Sequence, residues 1–270
     1  MSVRLGIIGG GVMGEALLSR LLAQGLYAAQ EVLLSEPTPA RRQDLSERYS
    51  IQTTGNNQDV IEASEVVLLA VKPQIFDLIA KDFRAARCDR PPLVISILAG
   101  VTLSQLESLM DSCPVVRTMP NTPATVGAGM SAIAMGTHAT ESHAQIAEAM
   151  FSAVGQVVTV SESMLDAVTG LSGSGPGYVA IVIEALADGG VAAGLPRAIS
   201  KQLAVQTVLG TAELVKQTGL HPGELKDRVT SPGGTTIAGV ARLEELGLRS
   251  ALIEAVKTAS ARSKALGQKS

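Results

Sequence analysis

Tryptophan is absent, and aromatic residues make up only 2% of the 270 residues. Base and sugar recognition lean on stacking rings, so nucleic-acid and carbohydrate partners are not expected. The formal net charge is −3, and no basic block offers a cationic groove. Cysteine is limited to Cys88 and Cys113, with no CxxC pair. A disulfide framework and a thiolate metal cage are therefore both unexpected, and a reducing cytoplasm fits. No uninterrupted apolar run is long enough to span a bilayer, so no membrane partner is expected. The opening MSVRLGIIGGGVMG is too short, too glycine-broken and too poor in a cleavage site for a signal peptide. What remains, 46% hydrophobic and 17% charged residues, describes a folded globular chain.

The first half alternates short β-branched runs with helical patterns. Strands are predicted at residues 3–9, 31–35, 66–71, 93–98, 115–118, 128–134 and 156–160. Helices are predicted over 12–23, 41–49 and 139–151. Buried strands separated by helices predict a Rossmann-type, doubly wound and mainly parallel sheet. The pattern changes near Ser161. Beyond it strand runs vanish, and helices are predicted over 162–169, 177–193, 196–218, 222–229, 235–246 and 249–266. Two domains follow: a dinucleotide-binding domain over 1–160 and an all-α domain over 161–270. In the latter, YVAIVIEALADGGVAAG leaves only Glu184 and Asp188 as charges. A helix with so little polar surface needs cover on several sides. A second copy of the chain, related by two-fold symmetry, is the expected cover, with a compact monomer as the alternative.

The glycine turn carries the first functional signal. GIIGGGVMGEALL places Gly9-x-Gly11-x-x-Gly14 directly after the first strand and ahead of a helix, with Val12 and Met13 inside the turn. The first glycine allows the tight turn, the second admits a pyrophosphate, and the third lets helix and strand pack closely. The motif alone is weak; strand, turn and helix in order make it a dinucleotide site. The second strand ends at Ser35-Glu36, where the adenosine ribose should lie. A carboxylate there disfavours a 2′-phosphate, whereas Ser35, Thr38, Arg41 and Arg42 are donors for one. Arg41 and Arg42 read equally well as a solvated helix face. Asn56 either touches the adenosine side or caps a turn.

Three further strand ends pass into small residues or proline: LLAVKP with Ala70, Val71, Lys72 and Pro73; SILAG with Ala99 and Gly100; RTMPNTP with Met119, Pro120 and Asn121. Ligands of open α/β sheets lie beyond the carboxyl ends of strands. Together these ends are expected to line the nicotinamide crevice, with Asn121 offering its amide to the carboxamide or a ribose hydroxyl.

The second half contains GLSGSGPGY (170–178), DGGVAAGLP (188–196) and HPGELKDRVTSPGGTT (221–236). With MPNTP and the glycine turn, these motifs resemble pyrroline-5-carboxylate reductase along essentially the whole chain. The resemblance implies a Rossmann domain binding NADP(H), or alternatively NAD(H), followed by an all-helical dimerisation domain. It implies homodimers through that domain, associating further into rings such as a decamer. It implies hydride transfer to 1-pyrroline-5-carboxylate, giving L-proline, with the substrate held between nicotinamide and the SPGGTT loop. By resemblance the substrate positions are Val229, Ser231, Gly233, Gly234, Thr235 and Thr236; Arg228 carries little weight.

The chemistry of such a substrate explains a neutral loop. Its carboxylate needs donors, which backbone amides opened by Gly233 and Gly234, the helix start at Thr235 and the Ser231 hydroxyl supply. A cyclic imine is a strong electrophile once protonated, so solvent suffices as the proton source. Thr236 then orients the imine nitrogen as a polariser, and proximity does most of the work. A helix N-cap alone would not need two glycines before two threonines.

Ser172 and Ser174 lack a matching histidine for a nucleophile. His138 and His143 read as a helix surface and His221 as a helix start, so neither a hydrolase triad nor a metal site is expected. Glu162 and Asp166 read as a solvated or capping face, and Tyr178 as packing. Two rival functions stand. A β-hydroxyacid dehydrogenase would carry a lysine on the helix GPGYVAIVIEALADGG, which has none. A non-catalytic NAD(P)-sensing dimer would not need a complete substrate loop.

Overall fold

The structure, a computed structural model, describes residues 3–88, 90–110 and 113–267. Its contacts group into two compact units: one runs through Ser174 and resumes at Thr258, and the other is Gly175–Lys257.

Among the described residues, the first unit is built on eight strands: β1 (Val3–Ile8), β2 (Val32–Ser35), β3 (Gln52–Thr54), β4 (Ser64–Leu69), β5 (Leu93–Ser96), β6 (Val115–Met119), β7 (Gly129–Met135) and β8 (Gly155–Thr159). Their order across the sheet is β3-β2-β1-β4-β5-β6-β7-β8. All neighbours are parallel except β6 and β7. The order turns round between β1 and β4, which opens a crevice at their carboxyl ends.

Helices α1 (Val12–Ala23), α2 (Pro39–Tyr49), α3 (Asn57–Ala63), α4 (Phe76–Ala85), α5 (Leu103–Leu109) and α6 (Glu141–Ser152) connect the strands. Residue parity along the strands decides which face each side chain serves. Leu5, Ile7, Leu68, Ile95 and Ile133 join Leu17, Leu21 and Phe151 of α1 and α6 in one core. Ile8, Val67, Leu69 and Val94 join Ile61, Ile79 and Leu106 of α3, α4 and α5 in the other. Burying each such side chain contributes ~1.5–3 kcal/mol. The short helix α5 is held at its start by a capping box. Thr102 Oγ1 accepts from the Gln105 amide at 3.2 Å, and Gln105 Oε1 accepts from the Thr102 amide at 2.8 Å.

After β8 come α7 (Leu165–Val168) and a π turn, Thr169–Gly173. Its wide hydrogen bond runs from the Ser174 amide to the Thr169 carbonyl at 2.8 Å. The sequence placed one helix over 162–169 and the next from 177; the backbone instead carries helical geometry through most of the stretch between them.

The second unit is helical: α8 (Gly175–Ala192), α9 (Arg197–Thr218), α10 (Pro222–Arg228), α11 (Thr235–Glu245) and the first turns of α12 (Leu248–Gly267). Helix α9 follows Pro196 and ends at Gly219, whose φ of +67° is the left-handed geometry that glycine tolerates. Among the described residues of this unit only Ala187, Ser200 and Ala204 are buried, while Ile181, Leu203, Leu209 and Ile253 are each more than half exposed. No helix among the described residues is long and apolar enough to cross a membrane.

Candidate functional site

The glycine turn follows β1 as the sequence predicts, and its glycines differ in physical role. Gly9 has φ +109°, and a Cβ there would stand 2.5 Å from the Ala70 carbonyl oxygen. A Cβ on Gly14 would meet the Gly9 carbonyl oxygen at 2.3 Å. These two are fixed by the fold itself. A Cβ on Gly11 would meet nothing within 4 Å. The open space above Gly11, at the N-cap of α1 with no side-chain cap, is the cradle a pyrophosphate needs. Unpaired amides and the helix dipole both favour an anion there.

That space belongs to a cleft of about 450 Å³ lined by Gly11, Val12, Met13, Ala70, Val71, Lys72, Ile97, Met119, Pro120, Asn121, Thr122 and Gly173. The glycine turn and all three strand ends predicted for the crevice therefore meet here, the SILAG end through Ile97. Ile97, Thr122 and Gly173 are additions. Ile97 and Thr122 lie within the SILAG and RTMPNTP motifs, and Gly173 within GLSGSGPGY, a segment distant in sequence. Pro73, Ala99 and Gly100 line a neighbouring cleft with Leu266 of α12 instead. A Cβ on Gly100, whose φ is +79°, would meet Leu266 Cβ at 3.3 Å.

The residues at the end of β2 are engaged with the protein. Ser35 is buried and its hydroxyl donates to Asn57 Oδ1 at 2.6 Å. Glu36 Oε2 accepts from the Gly10 amide at 3.1 Å and Oε1 from the Thr38 amide at 3.0 Å. Arg42 donates to the Glu36 carbonyl at 2.7 Å and the Pro37 carbonyl at 3.0 Å. Arg41 donates through Nε to the Gly10 carbonyl at 3.0 Å and pairs with Glu15 and Asp44. Arg41 thus braces the glycine turn and Arg42 the chain leaving β2, so neither is simply a solvated helix face. Asn56 is the N-cap of α3, its Oδ1 accepting from the Gln58 amide at 3.1 Å. Thr38 is the N-cap of α2.

Glu15 gathers Arg41, Arg48 and Tyr49, whose hydroxyl donates at 2.8 Å. Burial pushes the Glu15 carboxyl up. The hydrogen bonds from Arg41 and Tyr49 and the charges of Arg41 and Arg48 outweigh that and hold it below its ordinary value.

Asn121 has its amide engaged inside the cleft wall. Its Nδ2 lies 3.2 Å from the Ser172 carbonyl oxygen and 3.3 Å from Ser172 Oγ, and its Oδ1 accepts from the Met130 amide at 2.9 Å. Sequence reasoning also missed Arg117. It is buried on β6 and donates to Glu162 Oε1 at 2.8 Å, an oxygen that also accepts from the Leu103 amide at 2.6 Å. Glu162 is thus an ion-pair partner, and Asp166 accepts from the buried Ser263 hydroxyl at 2.7 Å.

The SPGGTT loop joins α10 to α11. Gly233 has φ +68°, which a side chain resists. Gly234 is the N-cap of α11 without a side-chain cap, and a Cβ there would stand 2.3 Å from Ser231 Oγ. Gly233 is thus required by the turn, whereas a side chain at Gly234 would ask the exposed Ser231 hydroxyl to rotate away. Val229, Ser231, Gly233, Thr235 and Thr236 are exposed and Gly234 half-buried. The first amides of α11 have no intrahelical partners, so the loop presents donors without a charged side chain. His221 caps α10, its Nδ1 accepting from the Gly223 amide at 3.1 Å. His143 accepts from the Thr140 amide at 3.0 Å at the start of α6, and His138 lies in the turn before it rather than on the helix. The Tyr178 hydroxyl donates to the Ala255 carbonyl at 3.3 Å. No cluster of three metal-ligating side chains occurs among the described residues.

Two families match separate parts of the chain. The family described as pyrroline-5-carboxylate reductase dimerisation matches residues 162–266. The family described as NADP oxidoreductase, coenzyme F420-dependent, matches residues 4–100. A curated pyrroline-5-carboxylate reductase of Synechocystis is 58% identical over the full length of both chains. The solved pyrroline-5-carboxylate reductase of Coxiella burnetii superposes with a TM-score of 0.91 at 32% identity, covering 98% of this chain and 99% of its own. The Plasmodium falciparum pyrroline carboxylate reductase, solved with NADP bound, superposes with a TM-score of 0.86 at 29% identity and 98% coverage of both.

Proposed function

The chain belongs to the pyrroline-5-carboxylate reductase family, and from that premise we propose which of its residues carry the reaction. The enzyme reduces 1-pyrroline-5-carboxylate to L-proline with NAD(P)H. It is a homodimer through its helical residues, which accounts for the exposed leucines and isoleucines of α8, α9 and α12.

The observation that carries the cofactor assignment is Gly11, the one glycine of the turn whose missing side chain leaves open space rather than relieving a clash. We assign the pyrophosphate to Gly9, Gly11, Val12, Met13 and Gly14. Ala70, Val71, Lys72, Met119, Pro120 and Asn121 form the rest of the cleft wall. The bound NADP(H) supplies a hydride; the protein holds the reacting ring and sheds water from it. Ser35, Glu36 and Asn56 shape the adenosine end through the turn and the caps they hold. Pro73, Ala99 and Gly100 are proposed as a second layer that fixes the nearby loops.

The substrate carboxylate is assigned to the amides of Thr235 and Thr236 with the Ser231 hydroxyl, on the N-terminus of α11; Gly233 and Gly234 shape the turn that presents them, the Gly234 amide donating to the Ser231 carbonyl at 3.0 Å. Val229, half exposed beside them, gives apolar contact to the ring. Thr236 is assigned to orient the imine nitrogen through its hydroxyl. The functional division is proposed as 1–160 for the dinucleotide and 161–270 for dimerisation and substrate. Assembly of dimers into a decamer and a cytoplasmic location are proposed in the same spirit, to be read by native mass and by fractionation.

A spectrophotometric assay tests the whole reading. Oxidation of NADPH or NADH is expected with pyrroline-5-carboxylate and not, in reverse, with acyclic hydroxyacids. Thr236→Ala is expected to lower kcat about 10²-fold while leaving NADPH affinity in place. Unchanged turnover would remove Thr236 from the mechanism.

A further inference from the structure

We propose that Asn121 is a positioning residue that clamps the π turn Thr169–Gly173 onto the end of β6, so that Gly173 forms a wall of the dinucleotide cleft. The inference rests on assigning that cleft to the cofactor.

Three observations converge on it. The first is the connectivity of Asn121. Its amide nitrogen reaches both the carbonyl and the hydroxyl of Ser172, and its amide oxygen takes the Met130 proton. One side chain thus ties the end of β6, the start of β7 and a segment 51 positions away in sequence. Those contacts leave little of the amide to serve a ligand. The second is the backbone of that segment. A π turn costs helix geometry and recurs at functional sites; here its wide bond, Ser174 to Thr169, is formed at 2.8 Å. The extra residue of the turn carries Gly173 to the cleft, where it lines the same space as Gly11 and Met119. The third is the fit of Gly173 itself. A Cβ there would stand 2.6 Å from Met119 Cε, with Thr169 Cγ2 next at 3.6 Å. Glycine therefore lets the Met119 side chain lie back along the wall. A larger residue would drive the methionine toward the cofactor's space.

The full-length enzyme with NADPH as probe tests this, with affinity read from reduced-nicotinamide fluorescence in the absence of substrate. Asn121→Asp keeps the acceptor for Met130 and removes both donors to Ser172. It is expected to weaken NADPH binding about tenfold, with KM for the pyrroline substrate and the thermal midpoint moving much less. Gly173→Ala is expected to weaken NADPH similarly, and Met119→Leu in that background, being shorter by the colliding methyl, to restore it. Unchanged NADPH affinity in Asn121→Asp and Gly173→Ala, with Gly11→Val losing it, overturns the clamp and leaves the cleft assignment standing. So does a loss that Met119→Leu fails to repair, or an equal loss in NADPH affinity and substrate KM. Retained binding in Gly11→Val overturns the cleft assignment itself.

Discussion

The Glu36 carboxylate accepts the Gly10 amide proton at 3.1 Å, so the acidic residue at the end of β2 is a strut for the glycine turn. It also accepts from Thr38, which leaves its charge fixed beside the proposed adenosine end.

That fixed charge sets an expected cofactor balance. Two anions ~6 Å apart repel by ~0.7–3 kcal/mol between effective dielectrics of 80 and 20. Glu36→Gln should therefore raise the ratio of kcat/KM for NADPH over NADH about tenfold. The same change leaves one backbone amide without its acceptor, and should lower the thermal midpoint. A constant ratio would show that the carboxylate does not act on the 2′ position.

Two glycines of one turn should fail in different ways. Gly14→Ala forces a methyl to 2.3 Å from a carbonyl oxygen, a clash with backbone that overpacking data place at ~1–3 kcal/mol or more. Gly11→Ala adds a methyl to open space, so stability should hold while NADPH affinity falls. Thermal melts with and without NADPH separate the two; identical behaviour would mean that Gly11 has no ligand role.

Glu15 gives a pH signature. Its folded pKa lies below the ordinary value of 4.5, because Arg41, Tyr49 and Arg48 outweigh the effect of burial. A depressed carboxyl contributes stability that is fully present above the unfolded pKa and lost as pH falls through the folded one. Glu15→Gln should therefore melt earlier than the parent at pH 7, with the gap closing only below 4.5. A gap that stays constant into acid would show that the arginine cluster contributes nothing through this charge.

The helical unit should depend on its partner copy. Leu203 is 52% exposed on α9, in a unit where three residues are buried among those described. Leu203→Glu should dissociate the dimer in sedimentation and lower its thermal stability together. A variant that stays dimeric at micromolar concentration would place the interface elsewhere.

Much of this was legible in the chain. The strands predicted at 3–9, 66–71 and 128–134 appear as Val3–Ile8, Ser64–Leu69 and Gly129–Met135, because short, mostly apolar runs of this length are too brief for a helix. The turn Gly9–Gly14 and the ends of β4 and β6 meet in one cleft because a sheet that reverses order must open there. What stayed hidden depends on contacts distant in sequence. Strand β3, Gln52–Thr54, is three polar residues with no periodicity to read. The pairing of Arg117 with Glu162 and of Asn121 with Ser172 spans 45 and 51 positions. Local pattern therefore left Glu162 as a solvated or capping face, which its bond from the Leu103 amide at the start of α5 fits, but showed neither its arginine partner nor the hold of Asn121 on Ser172. Nor does any propensity flag a π turn, whose extra residue is set by what it packs against.

The last helix also carries a consequence for how the protein is made. Residues from Thr258 onward group with the first unit, and Leu266 packs at Gly100. A ribosome has therefore to finish the 83 residues Gly175–Lys257 before that partner of the β5–α5 loop emerges. At roughly 5–20 residues per second, the nascent sheet waits on the order of ten seconds with one seam open. For that interval Gly100 and its neighbours are surface for any chaperone that finds them.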